Sequence, residues 1–171
     1  DILIVLHQMG NHGPAYYKRY PKEFEKFTPV CKTNQLENCT GEEINNAYDN
    51  AILYTDYFLS KTINFLKKYE NTHETGMLYV SDHGESLGEN GIYLHGMPYA
   101  IAPKEQIKVA SLIWLGDGQM AHEYDKSKIK DNKDKEYSHD NLFDTLLGFF
   151  EVKTEVYKKD LDILYDARKP E

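Results

Sequence analysis

Gly76-Met77-Leu78-Tyr79-Val80-Ser81-Asp82-His83-Gly84-Glu85 reads as a strand that runs straight into ionisable side chains. Its first half is a short apolar and aromatic run, the pattern of a β-strand. The run stops at Asp82-His83, and Gly84 lets the backbone bend away before Glu85. An α/β sheet presents its sites in this way, in the crevice outside the carboxyl ends of its strands.

Working upstream, Thr40-Gly41-Glu42-Glu43 is a capping box, with Thr at the N-cap and Glu three residues on. The helix it opens carries Ile44, Tyr48, Ala51, Ile52, Thr55, Phe58, Leu59, Thr62, Ile63 and Leu66 as one stripe. It is predicted to end near Lys68, where Lys67 and Lys68 oppose the negative end of the helix dipole. Residues 15–39 are aromatic, and Pro21 and Pro29 argue against long elements there. Before them, Asp1-Ile2-Leu3-Ile4-Val5-Leu6 has the pattern of a strand buried on both faces. Strand, helix, strand predicts a βαβ crossover, a parallel pair and an α/β fold class. His7 and His12 follow the first strand, and Asp82, His83, Glu85 and then His95 follow the second. Two segments distant in sequence are therefore expected to converge on one crevice.

Downstream, residues 108–115 are a third strand candidate and 125–136, rich in Lys and Asp, read as a solvated loop. Ser138 is placed to cap a last helix through Phe150, with Leu142, Phe143, Leu146, Leu147 and Phe150 turned inward. The tail after Lys153 carries weaker signals. There are no internal repeats.

A length of 171 residues corresponds to one domain. Lys and Arg number 20 against 28 Asp and Glu, a formal net charge of −8. That balance argues against a nucleic-acid binder and against a polybasic membrane-surface module. The longest apolar runs, near residues 2–6 and 110–115, fall far short of the ~20 residues a membrane helix needs. The chain opens in mid-strand without Met or leader, which points to the C-terminal portion of a longer polypeptide.

Cys31 and Cys39 are the two cysteines, and two readings stand: a short-loop disulfide or a pair of free thiols. The even count and the polar, turn-like residues between them favour the disulfide, worth about 2.5 kcal/mol on the chain-entropy model. A disulfide places the protein in an oxidising compartment.

An adjacent Asp-His pair leaving a strand offers a hard oxygen and an imidazole nitrogen, both suited to zinc. Asp82 and His83 are thus the candidate ligands. A catalytic zinc ordinarily has three protein ligands and a reactive oxygen. Either His12 and His95 complete the set, or ligands come from outside this chain. His73, His122 and His139 read as ordinary surface or hydrogen-bonded residues, and His7 as one that orients its loop. No Ser or Thr is marked by spacing alone as an activated nucleophile.

The run from Ser81 to Gly91, with Tyr93-Leu94-His95-Gly96, resembles the phosphoethanolamine transferases that decorate lipid A. So do His12-Gly13-Pro14, Tyr17, Arg19-Tyr20-Pro21, Phe27-Thr28-Pro29 and Tyr48-Asp49-Asn50, with Ser138 and Asp140-Asn141-Leu142 continuing it. The likeness implies a mostly parallel sheet flanked by helices, as in sulfatases and alkaline phosphatase. It also implies an enzyme anchored in the Gram-negative inner membrane, its catalytic domain on the periplasmic face. In that family a zinc-bound Thr attacks phosphatidylethanolamine and releases diacylglycerol. The phosphoethanolamine then passes to lipid A or another periplasmic acceptor. By this resemblance Asp82 and His83 match zinc ligands. His12 and His95, with Glu85 beside them, match positions for substrate phosphate or a second metal, and Cys31 and Cys39 match a disulfide. The family's nucleophilic Thr and a Glu ligand have no counterpart here. Residues 1–171 are therefore expected to be the C-terminal portion of one catalytic domain, partnered by its upstream half. The alternatives are a sulfatase or phosphodiesterase-type hydrolase and a non-catalytic metal-binding module.

Overall fold

The computed structural model describes residues 2–170. Asp1, where the predicted opening strand begins, lies outside the described residues. Among the described residues the chain gathers into two compact units, one of Ile4–Asn64 and Tyr79–Leu112, the other of residues 2–3, Phe65–Leu78 and residues 113–170. In chain order the described elements are α1 (Gly41–Leu66), β1 (Gly76–Val80), β2 (Ser86–Leu87), β3 (Tyr93–Leu94), α2 (Lys104–Ile107), β4 (Ser111–Leu115), α3 (Met120–Glu123), α4 (Lys126–Asp131) and α5 (Asp140–Phe149), with short 3-10 turns between and around them.

The first unit is organised by α1. Its capping box forms: the Glu43 N–H donates to Thr40 Oγ1 at 3.2 Å and the Thr40 N–H to Glu43 Oε2 at 2.8 Å. Ile44, Ala47, Asn50 and Ala51 are buried, whereas Ile52 is exposed and the later part of the stripe only half-buried. Tyr16, Cys31, Leu36, Ile44 and Ala47 form the core, with Val30, Tyr48, Leu87, Tyr93 and Leu94 packed on it. Cys31 and Cys39 are joined in a disulfide, with Cα atoms 5.7 Å apart. Asn50 replaces regular structure in the Pro-rich segment: its Oδ1 accepts the Lys26 and Phe27 N–H groups at 2.7 and 2.9 Å, and its Nδ2 donates to the Phe27 carbonyl at 2.9 Å.

β2 and β3 form an antiparallel hairpin, with Ser86 opposite Leu94 and Leu87 opposite Tyr93. Gly88 at φ 120° and Asn90 at φ 55° supply the left-handed backbone of the turn. β1 pairs with β4. The Ser81 N–H reaches the Ala110 carbonyl at 3.1 Å at one end, and the Gly116 N–H reaches Thr75 at 2.9 Å at the other. Those two bonds set the pair antiparallel.

The predicted strand at 2–6 does not form: Ile2, Leu3, Ile4, Val5 and Leu6 are 56–82% exposed and outside regular structure. An apolar run states what a strand would bury, but a strand needs a neighbour's free edge, and among the described residues this run has no ladder partner. The expected parallel pair with β1 is therefore absent there, and β1 takes its partner from the later segment that the sequence marks as a third strand.

The second unit packs Leu115, Met120, Tyr124, Leu164 and Ala167, with Ile113, Ile129 and Phe149 against them. Its tail is held by polar staples. Asp162 Oδ2 accepts from Tyr157 Oη at 2.7 Å and pairs with Arg168 Nη2 at 3.4 Å, while Oδ1 accepts the Leu164 N–H at 2.8 Å. Asp144 Oδ1 accepts the Lys158 N–H at 2.6 Å, and Thr145 Oγ1 accepts the Ile163 N–H at 3.0 Å. Ser138, expected to cap α5, lies one residue ahead of the N-cap His139, and its Oγ accepts the Asp140 N–H at 3.2 Å. The buried face of α5 is Asp144, Thr145 and Gly148; Phe143, expected inward, is 57% exposed. The tail docks here through hydrogen bonds, and a Cβ at Gly148 would lie 2.0 Å from Asp162 Oδ2. Within the predicted loop at 125–136 the chain forms α4, its first turn capped by Asp125, which accepts the Ser127 N–H at 2.9 Å. Its charged sequence hides the period that an apolar stripe would show. Among the described residues no helix is long and apolar enough to cross a membrane.

Candidate metal centre

Every residue of the candidate site belongs to the first unit. His12 sits in the loop before the first 3-10 turn, His83 just past β1, and His95 at the end of the β2–β3 hairpin. One ring nitrogen from each lies within 4.8 Å of the other two. The His83 and His95 rings stack with centroids 3.8 Å apart, and His12 meets them edge-on at 5.6 and 4.9 Å.

Each ring is turned by a bond to Nδ1. His12 Nδ1 lies 2.7 Å from the Gly13 carbonyl, His83 Nδ1 3.0 Å from the Gly84 carbonyl, and His95 Nδ1 3.2 Å from Glu85 Oε1. All three acceptors are satisfied by the tautomer protonated at Nδ1, which leaves Nε2 with its lone pair outward. That is how metal-ligating histidines are oriented by their second bond. Three imidazole nitrogens holding one zinc at about 2.0–2.1 Å would stand roughly 3.4 Å apart, so the set fits zinc after closing by roughly an ångström. The Asp82 side chain is 82% exposed; its Oδ1 accepts the His83 N–H at 3.1 Å and lies 4.0 Å from His83 Nε2. It offers an oxygen at the rim of the same place.

Glu85 is the buried organiser. Its Oε1 accepts the Gly13 N–H at 3.0 Å as well as facing His95, and its Oε2 accepts the Tyr16 hydroxyl at 2.9 Å. Both oxygens are engaged, so Glu85 joins the His12 loop to the hairpin bearing His95. Burial, then the charge and hydrogen bond of Glu85, push the Tyr16 phenol far up. Burial and the Glu85 charge also raise the Tyr48 phenol, and burial with the Asp82 charge raises Tyr79. Arg19 Nε donates to the His12 carbonyl at 2.7 Å. A Cβ on Gly13 would meet Leu94 Cδ2 at 2.6 Å and Tyr16 Oη at 2.7 Å, and one on Gly84 would meet the Glu105 carbonyl at 2.0 Å. Only glycine allows either approach. Gln106 completes the frame: its carbonyl accepts the Gly84 N–H at 2.9 Å, and its Nε2 donates to Ser86 Oγ at 3.0 Å.

His7 is exposed and outside the cluster. His73 bonds Thr72 Oγ1 through Nδ1 at 2.8 Å, and neither His122 nor His139 joins the histidine group. Tyr16, Arg19 and Gln106 are the contributors that sequence reading missed. Each acts through hydrogen bonds, from seven residues away for Arg19 to 69 for Tyr16, and no spacing rule marks such a residue.

The chain that carries this histidine group belongs to a known class: residues 1–152 match the family model described as Sulfatase, and the chain is a member of that family. Among curated relatives, phosphoethanolamine transferase EptA of Escherichia coli (strain K12) is 51% identical over 171 residues, covering 99% of this chain and 31% of that protein. Phosphatidylethanolamine transferase Mcr-2 of Escherichia coli is 53% identical over 152 residues, 89% of this chain and 27% of that protein. The crystal structure of the soluble domain of lipooligosaccharide phosphoethanolamine transferase A from Neisseria meningitidis superposes with a TM-score of 0.92 at 44% identity, covering 96% of this chain and 50% of that one. The sulfatase-type α/β fold class predicted from sequence is thereby the fold of this chain. The chain spans about a third of the length of the curated relatives it matches.

Proposed function

We propose that this chain forms the metal-binding part of a phosphoethanolamine transferase that uses zinc, takes phosphoethanolamine from phosphatidylethanolamine and delivers it to lipid A or a related acceptor at the periplasmic face of the inner membrane. The observation that carries this reading is the convergence of His12, His83 and His95 on one point. The names of the relatives supply the donor and acceptor classes. Zinc, when bound, polarises a phosphoryl oxygen and lowers the pKa of a coordinated hydroxyl. His83 and Asp82, with His12 and His95, are the donors that would hold it. A histidine left off the metal would, as an imidazolium, donate from Nε2 to a phosphate oxygen, which stabilises the charge gathering there during transfer. Glu85 keeps His95 aimed, and Arg19 holds the His12 backbone.

The transfer balances as two displacements at phosphorus. A hydroxyl oxygen bonds to phosphorus as the P–O bond to diacylglycerol breaks, and the hydroxyl proton ends on the departing glycerol oxygen. An acceptor oxygen then displaces the first. The family pattern assigns the first hydroxyl to a Thr beyond this chain. Ser86, the nearest hydroxyl to the Asp82-His83 pair on its downstream side, is fully buried on Gln106 and unavailable.

The test uses the full-length protein in a Gram-negative host lacking such transferases, with lipid A read by mass spectrometry. Phosphoethanolamine addition should be abolished by His83→Ala or Asp82→Ala, with metal content reduced in the purified variants. Wild-type modification by either variant would remove the metal assignment. A second reading, a hydrolase, is favoured by the family model itself, which is the sulfatase one. Release of free phosphoethanolamine to water with no acceptor present would select it.

A further inference from the structure

We infer that Tyr16 is a positioning residue of this centre, acting through Glu85 to hold His95 and the His12 loop in a ligating arrangement; the inference rests on the metal reading above. A Glu carboxylate is poorly fixed by its own side chain, because its last torsion is broad and roughly two-fold. Here the plane is pinned from both ends. Tyr16 holds Oε2, while Gly13 N–H and His95 Nδ1 share Oε1. Tyr16 is itself enclosed by packing: it is 1% exposed, lies in the core with Ile44 and Ala47, and meets the Tyr48 ring edge-on at 5.3 Å. Rigid core is thus connected by one phenol O–H to a carboxylate, and by that carboxylate to two of the three histidine segments. Without the O–H, Oε2 is a buried charged oxygen short of a donor, and the carboxylate turns to find another. His95 and the Gly13 amide then lose their common acceptor. Gly13 is glycine for the same reason, since a Cβ there would lie 2.7 Å from Tyr16 Oη.

Tyr16→Phe removes one oxygen and keeps the ring. Glu85→Gln keeps the shape and replaces the charge, and Asp162→Asn is a control that disturbs a buried carboxylate of the second unit, whose partners are Tyr157, Leu164 and Arg168. Cobalt(II) stands in for zinc because its visible absorption reports ligand geometry. Tyr16→Phe and Glu85→Gln should each weaken cobalt binding about 10- to 100-fold, the range seen for residues that orient ligands. The double variant should do little more than either alone, and Asp162→Asn should bind as wild type. Long-range proton–nitrogen NMR of the metal-free protein at pH 8 provides a second readout. His95 should be protonated at Nδ1 in the wild type and lose that preference in both variants. Wild-type cobalt affinity and spectrum in Tyr16→Phe, or an unchanged His95 tautomer in the variants, would overturn the positioning role. A wild-type chain that binds no cobalt yet shows the tautomer change would overturn the metal reading and leave Tyr16 as the residue that sets His95. Should Tyr16→Phe fail to fold, Glu85→Gln decides by the same two measurements.

Discussion

Glu85 and Asp162 are both buried carboxylates that gather three donors, and the two put that arrangement to different uses. Asp162 takes Tyr157, the Leu164 N–H and Arg168, all within the second unit's tail or α5 neighbourhood. Every group it holds ends in the fold. Glu85 takes Tyr16, the Gly13 N–H and His95, and His95 is one of three histidines with a ligand nitrogen within 4.8 Å of the others. The energetic logic is the same in both: a desolvated carboxylate is tolerated only with strong, charge-assisted partners. What separates a staple from a site is whether one of those partners has an unspent donor or acceptor left over. By this test Asp144 is also a staple, since its bonds close on the Lys158 backbone.

That contrast is easiest to break by stability. Asp162→Ala leaves Arg168 beside an emptied, buried position and removes an acceptor from Tyr157 and Leu164. Loss of a partner from a buried pair costs about 3–5 kcal/mol, and Arg168, partly exposed, puts this case at the low end. Thermal or urea unfolding should show that loss while cobalt binding at the histidines stays at its wild-type affinity. A metal affinity that fell together with stability would mean that the two carboxylates do not divide fold from site.

Next in size is the disulfide. Cys31→Ser should lower stability by about 2.5 kcal/mol, the entropy of the short loop it closes, under oxidising conditions and not in the presence of reductant. Cys31 belongs to the same core as Tyr16. If the division holds, the loss is one of folding free energy alone, with cobalt affinity unchanged in the folded fraction. An unchanged melting point in oxidising buffer would remove the disulfide from the stability of this unit.

How far all this could be read from the chain itself depended on the range of the interaction. The capping box of α1, the strand at 76–80 and the Asp82-His83 turn are local, and each was legible because adjacent residues decide it. His12 and His95 were picked as candidates on the expectation of converging strand ends, and the structure does bring them to His83, though the strand expected before His12 does not form and His95 follows an antiparallel hairpin. The apolar run at 2–6 misled because a strand is a property of two segments and the pattern of one reveals nothing about its partner. Phe143 misled for a related reason: periodicity marks the apolar face of α5, but the tail docks on Asp144, Thr145 and Gly148 by hydrogen bonds. Tyr16 is the hardest case, one aromatic among several in a Pro-punctuated stretch, whose significance is a single bond to a carboxylate 69 residues away.

The smallest effect is also the most specific to Asp162. Burial first, then the hydrogen bond and charge of that carboxylate, push the Tyr157 phenol from 10.0 up to about 12. A phenol raised in the folded state keeps its proton there after the unfolded chain has lost it. Its contribution is therefore fully present below pH 10 and declines as pH rises from about 10 to about 12. Tyr157→Phe should remove that part of the alkaline loss of stability, so its unfolding curves across this window should be flatter than those of the wild type. Tyr16 responds in the same direction but is coupled to Glu85, so Tyr157→Phe must leave the tautomer of His95 untouched. An identical pH slope in wild type and Tyr157→Phe would show that Asp162 holds Arg168 and the Leu164 amide without the phenol. The staple would then consist of two partners where Glu85 has three.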